Sequence, residues 1–313
     1  DRAVVKARPM LSRGKRLLRG GWRRLQGRSS PPVELEHALA GSLAPMACID
    51  VGASFGIHRP WRLLAQSPRV TWVAVEPNSA EVAYLNDWPH PAHLVCCSEG
   101  LSGTGGERTL YITHNPNGSS ILEPRIPASI AARSDYKGFF YPMRQIQIPT
   151  ITLPSLLQRL PDGIPFVIKL DTQGSELEIL RGAEAALAQH QCVGIELEAS
   201  LLAEPPYTHA ARFWEINGWL EQLGFELMRI QPICFGSRHA VLGGPGRRAP
   251  AECDALFSVR SDKVAALPPS HRLALLAFHS TNGFYEEAHA LLSGDPQLRD
   301  LIQSNGGQPD RKS

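Results

Sequence analysis

The feature that most constrains the fold is an alternation of short apolar runs with stretches of helical spacing, from about residue 31 onward. Such alternation is typical of βα units on a mostly parallel sheet. The apolar runs predict parallel strands over residues 46–51, 70–75, 94–97, 166–170 and 192–197. Residues 225–230 and 255–259 predict an antiparallel hairpin. The expected fold is therefore α/β, with a seven-stranded, mostly parallel sheet that ends in an antiparallel hairpin.

Amphipathic spacing predicts a helix between most pairs of strands. The expected helices lie near residues 61–64, 80–85, 153–160, 175–188 and 210–223. Extra strands are predicted at 109–113 and 146–148, whereas residues 114–142 carry few regular signals. A long irregular segment inside a compact domain is usually a lid or a binding loop.

Charge divides the chain into unequal parts. Residues 1–28 hold ten Arg or Lys and one acid, a net charge of +9, so the rest carries −7 within a total of +2. We expect a basic arm or linker at 1–30, a main domain at 31–262 and a C-terminal extension of two helices at 263–313. An acidic body is a poor match for nucleic acid. The arm suits either a solvated leader or contact with an anionic surface.

Two absences in the sequence set expectations about the compartment. No run of about 18 consecutive apolar residues occurs, and no apolar stretch follows the N-terminal basic residues, so neither a membrane span nor a secretory signal is predicted. The six cysteines form no CxxC pair and no Cys/His spacing typical of zinc, so no metal is expected. Cysteines in apolar runs suggest free thiols in a reducing compartment, which predicts a cytoplasmic protein.

A glycine-bearing turn follows the first predicted strand. It runs from Asp50 through Gly52 to Gly56, and it is expected to lead into a helix whose free N–H groups face a ligand. Ser54 stands where the dinucleotide fingerprint needs its second glycine, so a pyrophosphate would fit poorly. A ligand with a carboxylate and no phosphate fits better. A tight turn with no ligand is the structural alternative.

Acidic residues follow the next two strands. Glu76 comes at the tip of the second strand, 20 residues after Gly56, close to the spacing of ribose-binding acids in nucleotide folds. Its structural alternative is a charge at a helix N-terminus, because Asn78 is a typical N-cap. Ser98 and Glu99 follow the third strand, where they are expected to reach the base of the same nucleoside.

These motifs resemble the FkbM-type methyltransferases, a branch of the class I S-adenosylmethionine-dependent methyltransferases that contains O-methyltransferases of sugars and natural-product hydroxyls. The matching segments are 49–53 with Gly56, 75–78, 117–120, 168–176, 195–198 and 254–257. Residues 168–176 read I-K-L-D-T-Q-G-S-E, similar to the family's I-K-I-D-x-E-G-x-E. Gln173 stands where the family commonly has Glu, which removes a charge beside the site and argues against a base at that position.

The resemblance implies a class I, Rossmann-like methyltransferase fold with bound S-adenosylmethionine. It places Asp50, Gly52, Ala53 and Gly56 around the methionine part of that cofactor. It places Glu76 on the ribose, and the adjoining Pro77 and Asn78 are included in the expected cofactor site.

Asp171 follows the fourth parallel strand and is the main candidate for catalysis. A carboxylate at this edge of the sheet could orient an acceptor hydroxyl, take its proton, or balance the sulfonium of the cofactor. Lys169 and Glu176 are further candidates, with a pairing partner for the carboxylates and a first-turn helix acid as their respective structural alternatives. His58, just after the glycine turn, is either a base near the methyl group or a structural residue.

The irregular segment at 114–142 offers polar groups and aromatic rings to an acceptor. The polar candidates are His114, Asn117, Ser119 and Ser120. The aromatic candidates are Tyr136, Phe139, Phe140 and Tyr141. Rings that cover C–H surfaces beside amides and hydroxyls suit a sugar; a loop that packs its own aromatics beneath itself is the alternative.

The predicted function is methyl transfer from S-adenosylmethionine to a hydroxyl of a carbohydrate or glycosylated small molecule. A nicotinamide-dependent oxidoreductase is the first rival, and the missing middle glycine counts against it. A non-catalytic module that binds a nucleoside-like ligand or a partner is the second. Metal-assisted transfer through Asp171 with Glu196 or Glu198 is a further variant.

Overall fold

The computed structural model describes residues 42–54, 56–62, 64–87, 93–131, 138–234 and 249–305. The expected basic arm and Tyr136 lie outside these ranges. The strands, in chain order β1 to β10, are Met46–Val51, Val70–Val75, His93–Cys97, Gly100–Leu101, Gly106–Thr113, Pro142–Ile151, Phe166–Leu170, Cys192–Ser200, Phe225–Cys234 and Pro250–Val259.

Seven of these strands form one sheet in the order β3-β2-β1-β7-β8-β10-β9. The pairs from β3 to β8 are parallel, and β10 runs antiparallel to both β8 and β9. The order reverses between β1 and β7, where an open α/β sheet forms a crevice at its carboxyl edge. The predicted class I methyltransferase architecture, mostly parallel with an antiparallel terminal hairpin, is confirmed.

A second, three-stranded sheet in the order β4-β6-β5 interrupts the βα rhythm. The predicted strands at 109–113 and 146–148 are the cores of β5 and β6, which pair antiparallel over most of their length. The segment that carries few regular signals connects these two strands. The strands extend beyond their predicted ends, and β6 is exposed over residues 142–147, so it lacks an apolar period there.

The helices differ from expectation in length and number. In chain order α1 to α10 they are Ser79–Asn86, Ala128–Ala131, Leu153–Leu157, Glu176–Arg181, Glu184–Ala188, Phe213–Gln222, Ser261–Val264, Pro269–Asn282, Tyr285–Gly294 and Pro296–Asn305. The helix expected at 175–188 is two helices, α4 and α5, divided at Gly182. A side chain at Gly182 would contact the carbonyl oxygen of Gly103 at 2.8 Å, so the break lets two segments pack closely.

The helix expected near 61–64 is wrong. The described residues there form two 3₁₀ turns, Arg59–Trp61 and Leu64–Gln66. Pro68 disfavours a helical conformation at the residue before it, and Gly56 and Pro60 have low propensity for a helix interior, which disfavours a regular helix here.

The C-terminal helices belong to the main core. Leu275 and Phe278 of α8 are fully buried in the same apolar cluster as the strands of the large sheet. The Phe278 ring lies over Gly194 of β8, in space that any side chain at that position would occupy. The boundary expected at residue 262 therefore does not separate two packing units, and α8, α9 and α10 replace the two expected helices. Within the described ranges, no helix is both long and apolar enough to cross a membrane.

Candidate functional site

A half-buried lysine links the two strands at the reversal point of the sheet. Asp50 of β1 and Lys169 of β7 are register partners, and Lys169 Nζ lies 3.3 Å from Asp50 Oδ1 and 3.5 Å from Asp171 Oδ2. Burial by itself lowers the pKa of Lys169, but attraction to Asp50 and Asp171 outweighs it and raises that pKa above its ordinary value. The predicted cofactor loop and the predicted catalytic carboxylate thus share one ammonium group.

The glycine turn packs directly on the backbone of Asp171. Gly52 has a φ of +76°, and a Cβ at this position would collide with the carbonyl oxygen of Asp171. The Gly52 and Ala53 N–H groups both donate to the carbonyl of Val75, at 3.0 and 3.2 Å. These two donors are already used, and the described residues after the turn form 3₁₀ turns in place of the helix whose free N–H groups were expected to face a ligand. Glycine here permits close approach of two backbone segments.

We expect Gly52→Ala to lower the free energy of unfolding by about 2–4 kcal/mol, because it adds left-handed strain of about 1–2 kcal/mol and a clash with a carbonyl that cannot rotate away. Urea unfolding measures the loss. Gly163→Ala is the matched control, since Gly163 also has a positive φ, +70°, but nothing lies within 4 Å of its added Cβ. Equal losses in the two variants would show that the contact with Asp171 carries no cost.

Glu76 lies at the tip of β2 on the same edge. Its Oε1 accepts a hydrogen bond from the Asn78 N–H at 2.8 Å. Burial raises the pKa of Glu76 to about 7, and repulsion from Glu81, Asp50 and Asp171 adds to the shift while the Asn78 hydrogen bond opposes it. The Asn78 carbonyl accepts from the Val82 N–H at 3.0 Å at the start of α1. The ribose and helix-start interpretations of Glu76 and Asn78 are therefore compatible.

Glu99 is tied to Arg159 and does not match the expected base-binding role. Arg159 Nη2 donates to Glu99 Oε1 at 2.7 Å, and the Cys97 thiol donates to the other oxygen at 3.1 Å. The hydrogen bond from Arg159 has the larger effect, and with that from Cys97 it lowers the pKa of Glu99 to about 2. The neighbouring Ser98 is exposed, and Pro77 is half-buried beside Glu76.

Glu176 holds the turn that carries Asp171. Its carboxylate accepts hydrogen bonds from the Thr172 N–H and hydroxyl, both at 2.9 Å, and from the Gly174 N–H at 2.9 Å. The residue is 2% exposed, and burial raises its pKa to about 7 against the effect of those donors. This arrangement makes Glu176 a positioning residue for the turn, in place of the catalytic role expected for it.

Gln173 is the centre of the hydrogen-bond network around Asp171. It has a left-handed φ of 58°, and its Nε2 donates to Asp171 Oδ1 and to Glu198 Oε1, both at 2.9 Å. The Tyr207 hydroxyl lies 2.9 Å from Gln173 Oε1 and 2.7 Å from the Gly118 carbonyl. From the sequence, Gln173 was predicted only to remove a charge beside the site, and Tyr207 was not predicted at all. The role of Gln173 could have been inferred from its side chain, because an amide nitrogen, unlike a carboxylate, can donate hydrogen bonds to two acids.

His58 is hydrogen-bonded to an acid of β8. Its Nε2 lies 2.8 Å from Glu196 Oε2, and Arg229 Nη2 lies 3.7 Å from Glu196 Oε1. Burial by itself raises the pKa of Glu196. The hydrogen bond from His58 and the charges of His58, Arg229 and Lys169 outweigh burial, so the pKa of Glu196 lies below its ordinary value. In the described part of the chain, no three acids, histidines or cysteines are placed to hold a metal ion. The metal-assisted variant thus lacks a ligand set there.

The polar residues predicted for the acceptor divide between the backbone and the surface. The Ser120 hydroxyl is buried and donates to the Gln173 carbonyl at 2.9 Å, and Ser119 Oγ accepts from the Thr113 N–H at 3.3 Å. Asn117 is half-buried and its N–H donates to Asn115 Oδ1, while His114 is exposed. The structure therefore uses Ser120 to fasten the loop to the Asp171 turn.

The aromatic residues follow the self-packing alternative in part. Phe140 is fully buried and packs edge-to-face against Tyr207, with ring centroids 5.6 Å apart. Phe139 is half-buried against Phe140, whereas Tyr141 is 58% exposed. Of the three described aromatic candidates, Tyr141 is the exposed one.

A family model for the methyltransferase FkbM domain matches residues 50–227, more than half of the chain. This chain belongs to the FkbM methyltransferase family. The match spans the glycine turn, Glu76 and the Asp171 turn.

Comparisons beyond the FkbM domain are distant. No curated protein matches the sequence. Among solved structures, a proposed methyltransferase from Thermobifida fusca YX is 11% identical, with a TM-score of 0.34, covering 72% of this chain and 81% of its own. A precorrin-6y C5,15-methyltransferase from Geobacter metallireducens GS-15 is 12% identical, with a TM-score of 0.29, covering 76% and 92%. Likeness at this level says nothing about the substrate.

Proposed function

We propose that this FkbM methyltransferase transfers a methyl group from S-adenosylmethionine to a hydroxyl of a carbohydrate or a glycosylated small molecule. The observation that carries the proposal is the contact between the glycine turn and Asp171, bridged by Lys169. It supports a cofactor and an acceptor that meet at the edge of β1 and β7. The cofactor would supply an electrophilic methyl group on a positively charged sulfur.

The residues at the crevice suit this cofactor. Gly52, with its positive φ, lets the turn pack against the backbone of Asp171, and the carboxylates of Asp50 and Glu76 stand at the tips of neighbouring strands. We assign Asp50, Gly52, Ala53 and Gly56 to the methionine part. Glu76 has Oε1 on Asn78 and a second oxygen for a ribose hydroxyl.

Asp171 is the group we assign to the acceptor hydroxyl. Gln173 fixes one carboxylate oxygen, and the ammonium of Lys169 stabilises the negative charge on the other. A carboxylate held in this way can orient the hydroxyl and accept its proton as the oxygen attacks the methyl carbon. In-line positioning and general-base action are the two contributions that methyl transfer draws from a protein here.

We expect Glu76→Ala to weaken binding of S-adenosylmethionine by roughly 1.5–3 kcal/mol, the usual scale for hydrogen bonds to a charged group. Calorimetric titration with S-adenosylmethionine and S-adenosylhomocysteine measures the change. Glu81→Ala is the control, because it removes a neighbouring negative charge from α1 and leaves the tip of β2 intact. A variant at Glu76 with native affinity would leave that carboxylate a helix-start role alone.

The acceptor is best sought without choosing it in advance. Glycan and metabolite extracts are incubated with the protein and methyl-labelled S-adenosylmethionine, and products are identified by mass spectrometry. We expect label on an oxygen of a hydroxylated acceptor. Label on nitrogen or carbon would overturn the O-methyl assignment, and preferential binding of NAD would overturn the cofactor. All six cysteines are free thiols, which supports the proposed cytoplasmic location.

A further inference from the structure

Four carboxylates lie on one face of the β8–β10 pair. Glu196 and Glu198 are two residues apart on β8, so their side chains lie on the same face. The register of β10 places Asp254 opposite Glu198 and Glu252 opposite Ser200. Residues directly opposite each other in an antiparallel pair share a face, so these side chains are neighbours. The face runs from the interior, where α8 covers Gly194, to the carboxyl edge beside Asp171.

Among the described residues, neither Glu198 nor Glu252 has a cationic partner in an ion pair. Glu196 is paired with His58 and Arg229. Of the residues that the structure describes, only Gln173 hydrogen-bonds Glu198, through its neutral carboxamide and one of the two carboxylate oxygens. No described residue donates a hydrogen bond to Glu252 or forms an ion pair with it, although the residue is only 6% exposed.

A buried carboxylate without a partner is costly, because it loses the hydration that a donor or a cation would replace. Like-charged neighbours add to that cost. An acid buried in this position holds a proton when the site is empty. A positive group that binds beside Glu252 and Glu198 would replace that proton and remove the cost.

Glu198 and Glu252 both line one small cavity. It has a volume of about 20 Å³ and is lined by Glu198, Glu252, Gln173, Tyr207 and Pro206, among others. A space of this size holds one water-sized group with two to four polar partners. A primary ammonium group is of that size, and it donates three hydrogen bonds, which carboxylates accept best.

We propose that Glu198 and Glu252 form a cation subsite that binds a primary ammonium group on the acceptor. The inference rests on the proposed O-methyl transfer and narrows its substrate class. A single nitrogen of Gln173 bonds both Asp171 and Glu198, so a hydroxyl at Asp171 and an ammonium at Glu198 lie one carboxamide apart. The acceptor is then an amino alcohol with nearby amine and hydroxyl, such as an amino sugar.

The first test uses small cations and needs neither cofactor nor acceptor. Thermal unfolding of the full chain is followed with ammonium, methylammonium, potassium, sodium or tetramethylammonium chloride at constant ionic strength. We expect ammonium and methylammonium to raise the melting temperature, and tetramethylammonium, which is too large and has no N–H, to leave it unchanged. Potassium equal to ammonium would assign the cavity to a free inorganic ion, and no shift with either amine would exclude a cation subsite; both outcomes overturn the proposal.

Variants connect the effect to the two carboxylates. Glu252→Gln and Glu198→Gln keep side-chain size, and each is expected to weaken methylammonium binding at least tenfold. Glu204→Gln, an exposed acid outside the cavity, is the control and should bind as the native protein does. Each variant's melting temperature without amine shows that it is folded. Native methylammonium affinity in folded Glu252→Gln would overturn the assignment.

A second test addresses the acceptor itself. With S-adenosylhomocysteine bound, 2-amino-2-deoxyglucose is expected to bind at least tenfold more tightly than its N-acetyl derivative, which has the same ring but no positive charge. Equal affinities, or binding of neither sugar, would count against an amino-sugar acceptor. If the amino sugar has no advantage while S-adenosylmethionine still binds, the cation subsite is overturned and the methyltransferase proposal stands. If S-adenosylmethionine does not bind, the methyltransferase proposal is overturned.

Discussion

Replacing Asp171 by Asn is expected to lower the single-turnover rate of methyl transfer by about 10²-fold or more, the scale on which a general base contributes. The substitution keeps an oxygen that can accept from Gln173 Nε2. It removes the negative charge that faces Lys169 Nζ at 3.5 Å. The loss should therefore fall on the reacting oxygen, while the fold and the affinity for S-adenosylmethionine change little.

Three measurements on Asp171→Asn separate the roles of this carboxylate. A lower rate with native cofactor affinity identifies a base or acceptor clamp. A parallel loss of cofactor affinity identifies a group that balances the sulfonium charge, and a lower melting temperature with native rate identifies a structural role. Asp162→Asn, at an exposed position, is the control for removal of one aspartate charge. Native turnover in Asp171→Asn would contradict the catalytic assignment.

Replacing Glu252 by Gln is expected to stabilise the ligand-free protein at high pH. Burial, with repulsion from Asp171, Glu176 and Asp254, raises the pKa of Glu252 from 4.5 to about 8. The folded state therefore binds this proton more tightly than the unfolded state. The cost of ionising Glu252 is absent below about pH 4.5, grows as pH rises, and is complete above about pH 8. Gln carries no such cost.

The predicted gain is a difference between two pH values. At about pH 9, Glu252→Gln should exceed the native protein by roughly 2–5 kcal/mol in the free energy of unfolding, since each unit of pKa shift is worth about 1.4 kcal/mol. At about pH 4 the two proteins should be nearly equal. Urea unfolding at both pH values measures this, with Glu204→Gln as the exposed control. A difference that does not depend on pH would show that the carboxylate is not held at high pKa in the folded state.

A carboxylate that lowers the stability of the empty protein is consistent with a binding role. Sites that recognise a charged ligand commonly hold like charges at a cost that the ligand removes. The same variant thus serves two experiments: without a cation Glu252→Gln gains stability, and with methylammonium it gains less than the native protein does.

Local sequence patterns were enough to predict the large sheet and the residues at the carboxyl ends of its strands. Apolar runs with the length of buried strands predicted β1, β2, β7 and β8, because a strand buried on both faces records its burial in consecutive residues. Parallel strands bring their carboxyl ends to one edge, so the positions of Asp50, Glu76 and Asp171 followed from where those strands stop. Glycine at 52 was readable because a left-handed turn favours that residue.

The contacts between side chains of the site depend on how the folded strands pack. Gln173 bridges Asp171 and Glu198 because its left-handed backbone turns the carboxamide toward β8, 25 residues away in sequence. Glu252 lies on the same face as Glu198 because β10 pairs antiparallel with β8 in a register that places Glu252 opposite Ser200. Glu99 and Glu176, which as isolated acids resembled ligand-binding groups, are held by Arg159 and by the turn at Thr172.

The physical reason is the range over which each signal acts. Periodicity and turn chemistry depend on neighbours within a few residues, so they are written locally and predict elements. Hydrogen bonds, ion pairs and burial between distant residues depend on register and on packing across the sheet. A one-residue change of register between β8 and β10 would move Glu252 to the opposite face without altering any local pattern. The elements of this FkbM domain are therefore local properties of its sequence, and its charge network is a property of the assembled sheet.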